Sequence, residues 1–109
     1  MTTHSIHKYP LHKYPLPWPQ PGSGDWRATV SMPSGAWILS VQEQHGLVVL
    51  WAVVELAKPV VDRRFRMCMT GEPLDASVYE NACFIATVQL RAGALVVHVF
   101  EEINAESAP

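Results

Sequence analysis

From Trp26 onward the chain runs as short apolar-rich segments, heavy in Val, Ile, Trp, Phe and Thr, separated by turn residues. That rhythm predicts strands. Trp26–Met32 is the first, ended by Pro33-Ser34-Gly35. Ala36–Gln44 is the second; simple alternation puts Trp37, Leu39 and Val41 on one face and Ser40 and Gln42 on the other. His45-Gly46 reads as a tight turn. Leu47–Glu55 is the third, apolar on both faces, which places it centrally or against another subunit. Ala57-Lys58-Pro59 breaks the chain before a fourth strand, Val60–Thr70. The longest loop runs from Gly71 to about Glu80. Ala82–Leu90, a turn at Arg91-Ala92-Gly93, and Ala94–Ile103 complete the pattern.

The stretch most open to a helical reading is "GLVVLWAVVELAK", Gly46–Lys58. Its β-branched content and bounding turn residues favour strand. About six strands at hairpin-like spacing predict an all-β fold, a single small antiparallel β-sandwich or open barrel over residues 25–103. Residues 104–109 are small and polar and read as a fraying tail.

Residues 1–24 differ in texture. They hold five of the nine prolines and three of the five histidines, and the pentapeptide His-Lys-Tyr-Pro-Leu occurs twice, at His7–Leu11 and His12–Leu16. Proline at this density excludes helix and central strand, so the zone is expected to be extended and to add at most one edge strand. The prolines of the two copies are five residues apart, out of phase with a three-residue polyproline turn. A docking peptide is therefore a poorer reading than a lead-in to the fold.

Composition changes the picture in one respect. The chain is 49% hydrophobic and 17% charged, against about 25% charged in ordinary globular proteins. A 109-residue chain makes one domain and has much surface to cover. The apolar surplus therefore points to subunit contacts and a homo-oligomer. A net charge of −2 gives no case for a nucleic-acid polymer or an anionic membrane as partner. The longest apolar run, Leu47–Val54, is far short of the roughly 20 residues of a spanning helix. No basic-then-apolar leader opens the chain, and a cytoplasmic protein is expected. Cys68 and Cys83 lie in apolar stretches and read as reduced, packed thiols; a disulfide between adjacent strands is the alternative.

Enzyme signatures are lacking: the sequence has no nucleophile elbow, phosphate-cradling glycine loop, Cys-x-x-Cys or His-Glu-x-x-His. Cys68 with His98 would make a thiolate pair, but a core thiol and a strand histidine are the plainer reading. His4, His7 and His12 lack fixed geometry and acidic or thiol companions, so no metal or other cofactor is expected. The best local site is "VVDRRFRMCMTG", Val60–Gly71. Alternation puts Asp62, Arg64, Arg66 and Cys68 on one face and Val61, Arg63, Phe65, Met67 and Met69 on the other. Arg64 and Arg66 then stand about 7 Å apart, a spacing suited to phosphate oxygens. The competing reading is a solvated face, with Asp62 pairing to Arg64 and a cross-strand carboxylate answering Arg66. Trp51 can close a core or stack a base, and His98, between valines, can be a satisfied buried side chain or part of a site.

The segments "HKYPL", "MPSGAWILSVQEQHGLVVLWAVVE", "RRFRMCMTGEPL", "YENACFIATVQL" and "GALVVHVFEE" together resemble a family of small proteins encoded by tailed phages and prophages, described as a domain of unknown function. The resemblance runs from His7 to Glu102. It implies that one Lys-Tyr-Pro-Leu copy leads into the fold along a sheet edge and that the other is a tandem duplication. No activity follows from it. The phage setting implies a non-enzymatic protein in the host cytoplasm that blocks host defence, for instance by sequestering a small anionic nucleotide signal. Arg63, Arg64, Arg66, Trp51, Trp37 and His98 are the candidate ligand-binding residues. A structural or assembly component of a phage particle, or direct binding of a host defence protein, is the alternative.

Overall fold

The computed structural model describes residues 3–11 and 26–103. In chain order the strands are β1 (Ser5–Pro10), β2 (Trp26–Pro33), β3 (Trp37–Gln44), β4 (Leu47–Val54), β5 (Val60–Met69), β6 (Ala82–Leu90) and β7 (Leu95–Glu102). All pairings are antiparallel. They build a three-stranded sheet A, ordered β1-β4-β3, and a four-stranded sheet B, ordered β2-β5-β7-β6.

The doubly apolar Leu47–Val54 strand is central in sheet A, as its sequence predicts. One face carries Val48, Leu50, Ala52 and Val54, all completely buried. These meet Met32, Phe65, Met67, Val97 and Val99 of sheet B in one core. Burying a side chain of this size contributes about 1.5–3 kcal/mol, so the core needs no cross-link. Cys68 and Cys83 are not joined in a disulfide. Cys68 is buried as expected, but Cys83 is exposed, because β6 is an edge strand.

The first His-Lys-Tyr-Pro-Leu copy forms β1, which pairs with β4 from Ser5↔Val54 to Pro10↔Val49. It is an edge strand, the position that proline tolerates. Leu11 continues the ladder through its N–H to the Val48 carbonyl, at 2.9 Å, and buries its side chain in the core. The second copy lies outside the described residues.

His45 and Gly46 both have positive φ, 54° and 81°, as a two-residue hairpin turn between twisted strands requires. The region from Gly71 to Glu80 is not loop throughout: Ala76–Glu80 makes one turn of helix, α1.

Simple alternation fails in β3. A register shift between Ile38 and Ser40 inserts Leu39 as an extra residue. Trp37 and Ser40 therefore face outward, opposite Val53 and Trp51, while Val41 turns into the core. The expected grouping of Trp37, Leu39 and Val41 on one face is corrected by this bulge. A second bulge, between Phe84 and Ala86, sits in β6.

Candidate functional site

Sheet B turns one face to the core and the other to solvent. In β5 the alternation holds: Phe65 and Met67 are buried inward, while Arg64, Arg66 and Cys68 take the outer face. The register then decides their company. Arg66 lies directly opposite Arg27 on β2 and opposite Phe100 on β7, and Phe100 lies opposite Phe84 on β6. One row, Arg27–Arg66–Phe100–Phe84, thus crosses all four strands. Arg64, two residues along β5, stands beside this row, opposite Thr29.

The row has a cationic half and an aromatic half. Two guanidiniums on directly opposed residues, about 5 Å apart at the backbone, repel each other. Glu102 answers this: its Oε1 lies 3.4 Å from Arg66 Nε. That is the cross-strand carboxylate the solvated-face reading expects. Asp62, its other expected acid, accepts a 2.6 Å hydrogen bond from the Ser31 hydroxyl. The Phe84 and Phe100 rings meet edge to face, centroids 5.7 Å apart and planes at 72°. Phe84 remains 59% exposed, so one ring is held by its neighbour and still open to a ligand.

His98 closes the aromatic side. Cys68 and Thr87 are its cross-strand partners. Its Nε2 lies 2.7 Å from Thr70 Oγ1 and its Nδ1 3.0 Å from Thr87 Oγ1. Both ring nitrogens are engaged by hydroxyls, which fixes the ring's orientation in the face.

The other expected residues lie elsewhere. Arg63 takes the inner side of β5, at the open end of the sandwich. Its guanidinium donates to Glu101 through Nε (2.6 Å) and Nη2 (2.8 Å), and through Nη1 to the Ala36 carbonyl (2.6 Å). Both side chains of this fork are only 19% exposed. Arg63 thus ties β5 and β7 to the β2–β3 turn, and its donors are engaged within the fold. The residues around it, with Cys83 and Glu102, line a cleft of about 650 Å³. Trp37 and Trp51 lie on the outer face of sheet A, across the sandwich from Arg64, Arg66 and His98. Of the six expected residues, then, Arg64, Arg66 and His98 share the outer face of sheet B, with Arg64 and His98 on opposite sides of the Arg66 row, while Arg63, Trp37 and Trp51 lie elsewhere.

Arg27, Phe84 and Phe100 were not legible as site residues in the sequence. Their signal is the register, which aligns residues far apart in the chain. Among the described residues no group of three or more His, Cys, Asp or Glu side chains is gathered as a metal site would need. Nor is any described helix long and apolar enough to cross a membrane.

These features define a small all-β sandwich with two unlike outer faces, one cationic and aromatic, the other largely apolar. The chain belongs to the family described as Domain of unknown function (DUF7352), which it matches over residues 2–109. No curated protein and no solved structure matches it.

Proposed function

We propose that this is a non-enzymatic, phage-encoded binding protein that sequesters a small phosphate-bearing nucleotide on the outer face of sheet B. The observation that carries this reading is the Arg27–Arg66–Phe100–Phe84 row, with Arg64 beside it. Guanidinium matches phosphate because its planar fork donates two parallel hydrogen bonds and never deprotonates. A phosphate between Arg27 and Arg66 relieves the repulsion between them. The exposed face of Phe84 takes the base, and base–aromatic stacking is worth about 1–3 kcal/mol. Glu102 holds Arg66 in the free protein and is displaced when ligand enters. In the host cytoplasm such capture lowers the free concentration of a defence signal without any chemistry on it.

A second reading, an assembly component of the particle or an inhibitor gripping a host protein, is favoured by a different observation. Trp37 is 73% exposed on the outer face of sheet A, beside other exposed apolar side chains.

The test of the first reading is native mass spectrometry of the full chain purified from cells that make cyclic dinucleotides or cyclic ADP-ribose-type signals. A nucleotide adduct on wild type that Arg66→Ala loses is the expected result. Wild type free of nucleotide from every such cell overturns the proposal.

A further inference from the structure

The outer face of sheet A is organised in rows of its own. Ile6 on β1, Val53 on β4 and Trp37 on β3 are direct cross-strand partners, so one apolar row spans the whole sheet. Ile6 is 62% and Trp37 73% exposed; Leu39, pushed out by the bulge, is 50% exposed beside them. The next rows are more polar. Lys8 and Ser40 flank Trp51, and Gln42 lies opposite Val49. The Lys8 ammonium donates to Gln44 Oε1 at 2.8 Å. By register that bond runs diagonally over Val49, which is only 3% exposed although it faces outward. One end of the face is thus strapped and closed, and the other is open and apolar.

The open end has a knob and a hole. Trp37 stands out beside a hollow of about 270 Å³ lined by His4, Gly35, Leu39, Val53 and Trp37 itself. We infer that this face is a homodimer contact, in which Trp37 of each copy enters the hollow beside Trp37 of the other. Three features select a second copy as the occupant. Knob and hole lie on one patch, the self-complementary arrangement that a two-fold contact requires. Among the described residues, Lys8 is the one charged side chain that the strands of sheet A turn to this face, and its bond to Gln44 draws it towards the strapped end. The apolar area is a fraction of what a standard contact buries and is enough for its centre. Trp37, Leu39 and Ile6 leave on the order of 300 Å² of apolar surface in water, a whole aromatic side chain contributing about 150–250 Å². A standard interface buries about 800 Å² per partner, an apolar centre inside a polar rim. The apolar row supplies that centre, and Ser40, Gln42 and the Lys8–Gln44 strap supply one side of the rim. The inference is independent of nucleotide binding, which uses the opposite face. It also accounts for the exposed tryptophan without a host protein.

Sedimentation equilibrium of the full chain tests it. Wild type at micromolar concentration should run at twice the 12.1 kDa chain mass. Trp37→Ala should weaken association by about 30-fold or more, the loss typical of a central interface tryptophan. Trp37→Glu and Ile6→Glu should be monomers with wild-type circular dichroism, since both side chains are exposed in the single chain. Phe84→Glu, on the other face, should leave the dimer intact. A monomeric wild type overturns the proposal, and so does an assembly that both Trp37→Glu and Ile6→Glu leave unchanged.

Discussion

Arg27 on β2 stands directly opposite Arg66 on β5, two like charges in one cross-strand pair. Such pairs destabilise a sheet by some tenths of a kcal/mol. Here Glu102 partly neutralises the pair from the β7 side, at 3.4 Å from Arg66. An anionic ligand at this pair would compete with a carboxylate of the chain itself.

That competition has a measurable sign. Glu102→Gln keeps the size of the side chain and removes its charge. It should tighten binding of a phosphate-bearing nucleotide by several-fold, although it removes an ion pair that at 3.4 Å is worth about 1 kcal/mol. Isothermal titration measures the first effect and urea unfolding the second. A variant that binds more weakly than wild type would assign Glu102 to the ligand contact itself.

The arginines of β5 should separate by what they do. Arg63→Ala leaves Glu101 without its fork at a largely enclosed position and should cost about 2–4 kcal/mol of stability. Arg64→Ala should cost about 1 kcal/mol or less. The comparison is of midpoints in urea at a common slope. Equal losses would contradict the division between Arg63, held by a bidentate carboxylate fork on the inner side, and Arg64 on the outer face.

The β3–β4 hairpin depends on backbone that few residues adopt. Gly46 has φ 81° and open space around its Cβ position, so Gly46→Ala isolates conformational strain from any clash. It should lower stability by about 1–2 kcal/mol. His45→Asn, better suited to φ 54°, should leave stability unchanged or raise it by roughly half a kcal/mol. Thermal unfolding of both variants against wild type checks the pair.

Much of the fold was legible because its signals are local. His45-Gly46 and Arg91-Ala92-Gly93 mark hairpins by residue type, and Leu47–Val54 marks a central strand by being apolar on both faces. The alternation of Val60–Thr70 correctly sets Arg63 apart from Arg64 and Arg66. The illegible parts are non-local. A bulge at Leu39 adds one residue and leaves no mark in composition, yet it reverses which side Val41 faces. Arg63 finds its carboxylate at Glu101, 38 residues on. Arg27 and Phe100 meet Arg66 because β2 and β7 both flank β5, a matter of sheet order. Tryptophan drew attention as a stacking residue by its size, but the sheet order sets Trp37 and Trp51 across the sandwich and gives the arginines two phenylalanines instead.

On the proposed reading, nucleotide binds to the outer face of sheet B and touches no residue of sheet A. The most direct measurement is calorimetric titration of a cyclic dinucleotide or cyclic ADP-ribose-type signal, whichever binds wild type, into Arg27→Ala, Arg66→Ala, Phe84→Ala and Trp51→Ala. The first two should lose about 10- to 100-fold in affinity, the cost of a charge-assisted bond. Phe84→Ala should lose a similar factor through stacking, and Trp51→Ala should bind as wild type does. Wild-type affinity in Arg27→Ala, Arg66→Ala and Phe84→Ala together, or no binding of any such nucleotide by wild type, would contradict it.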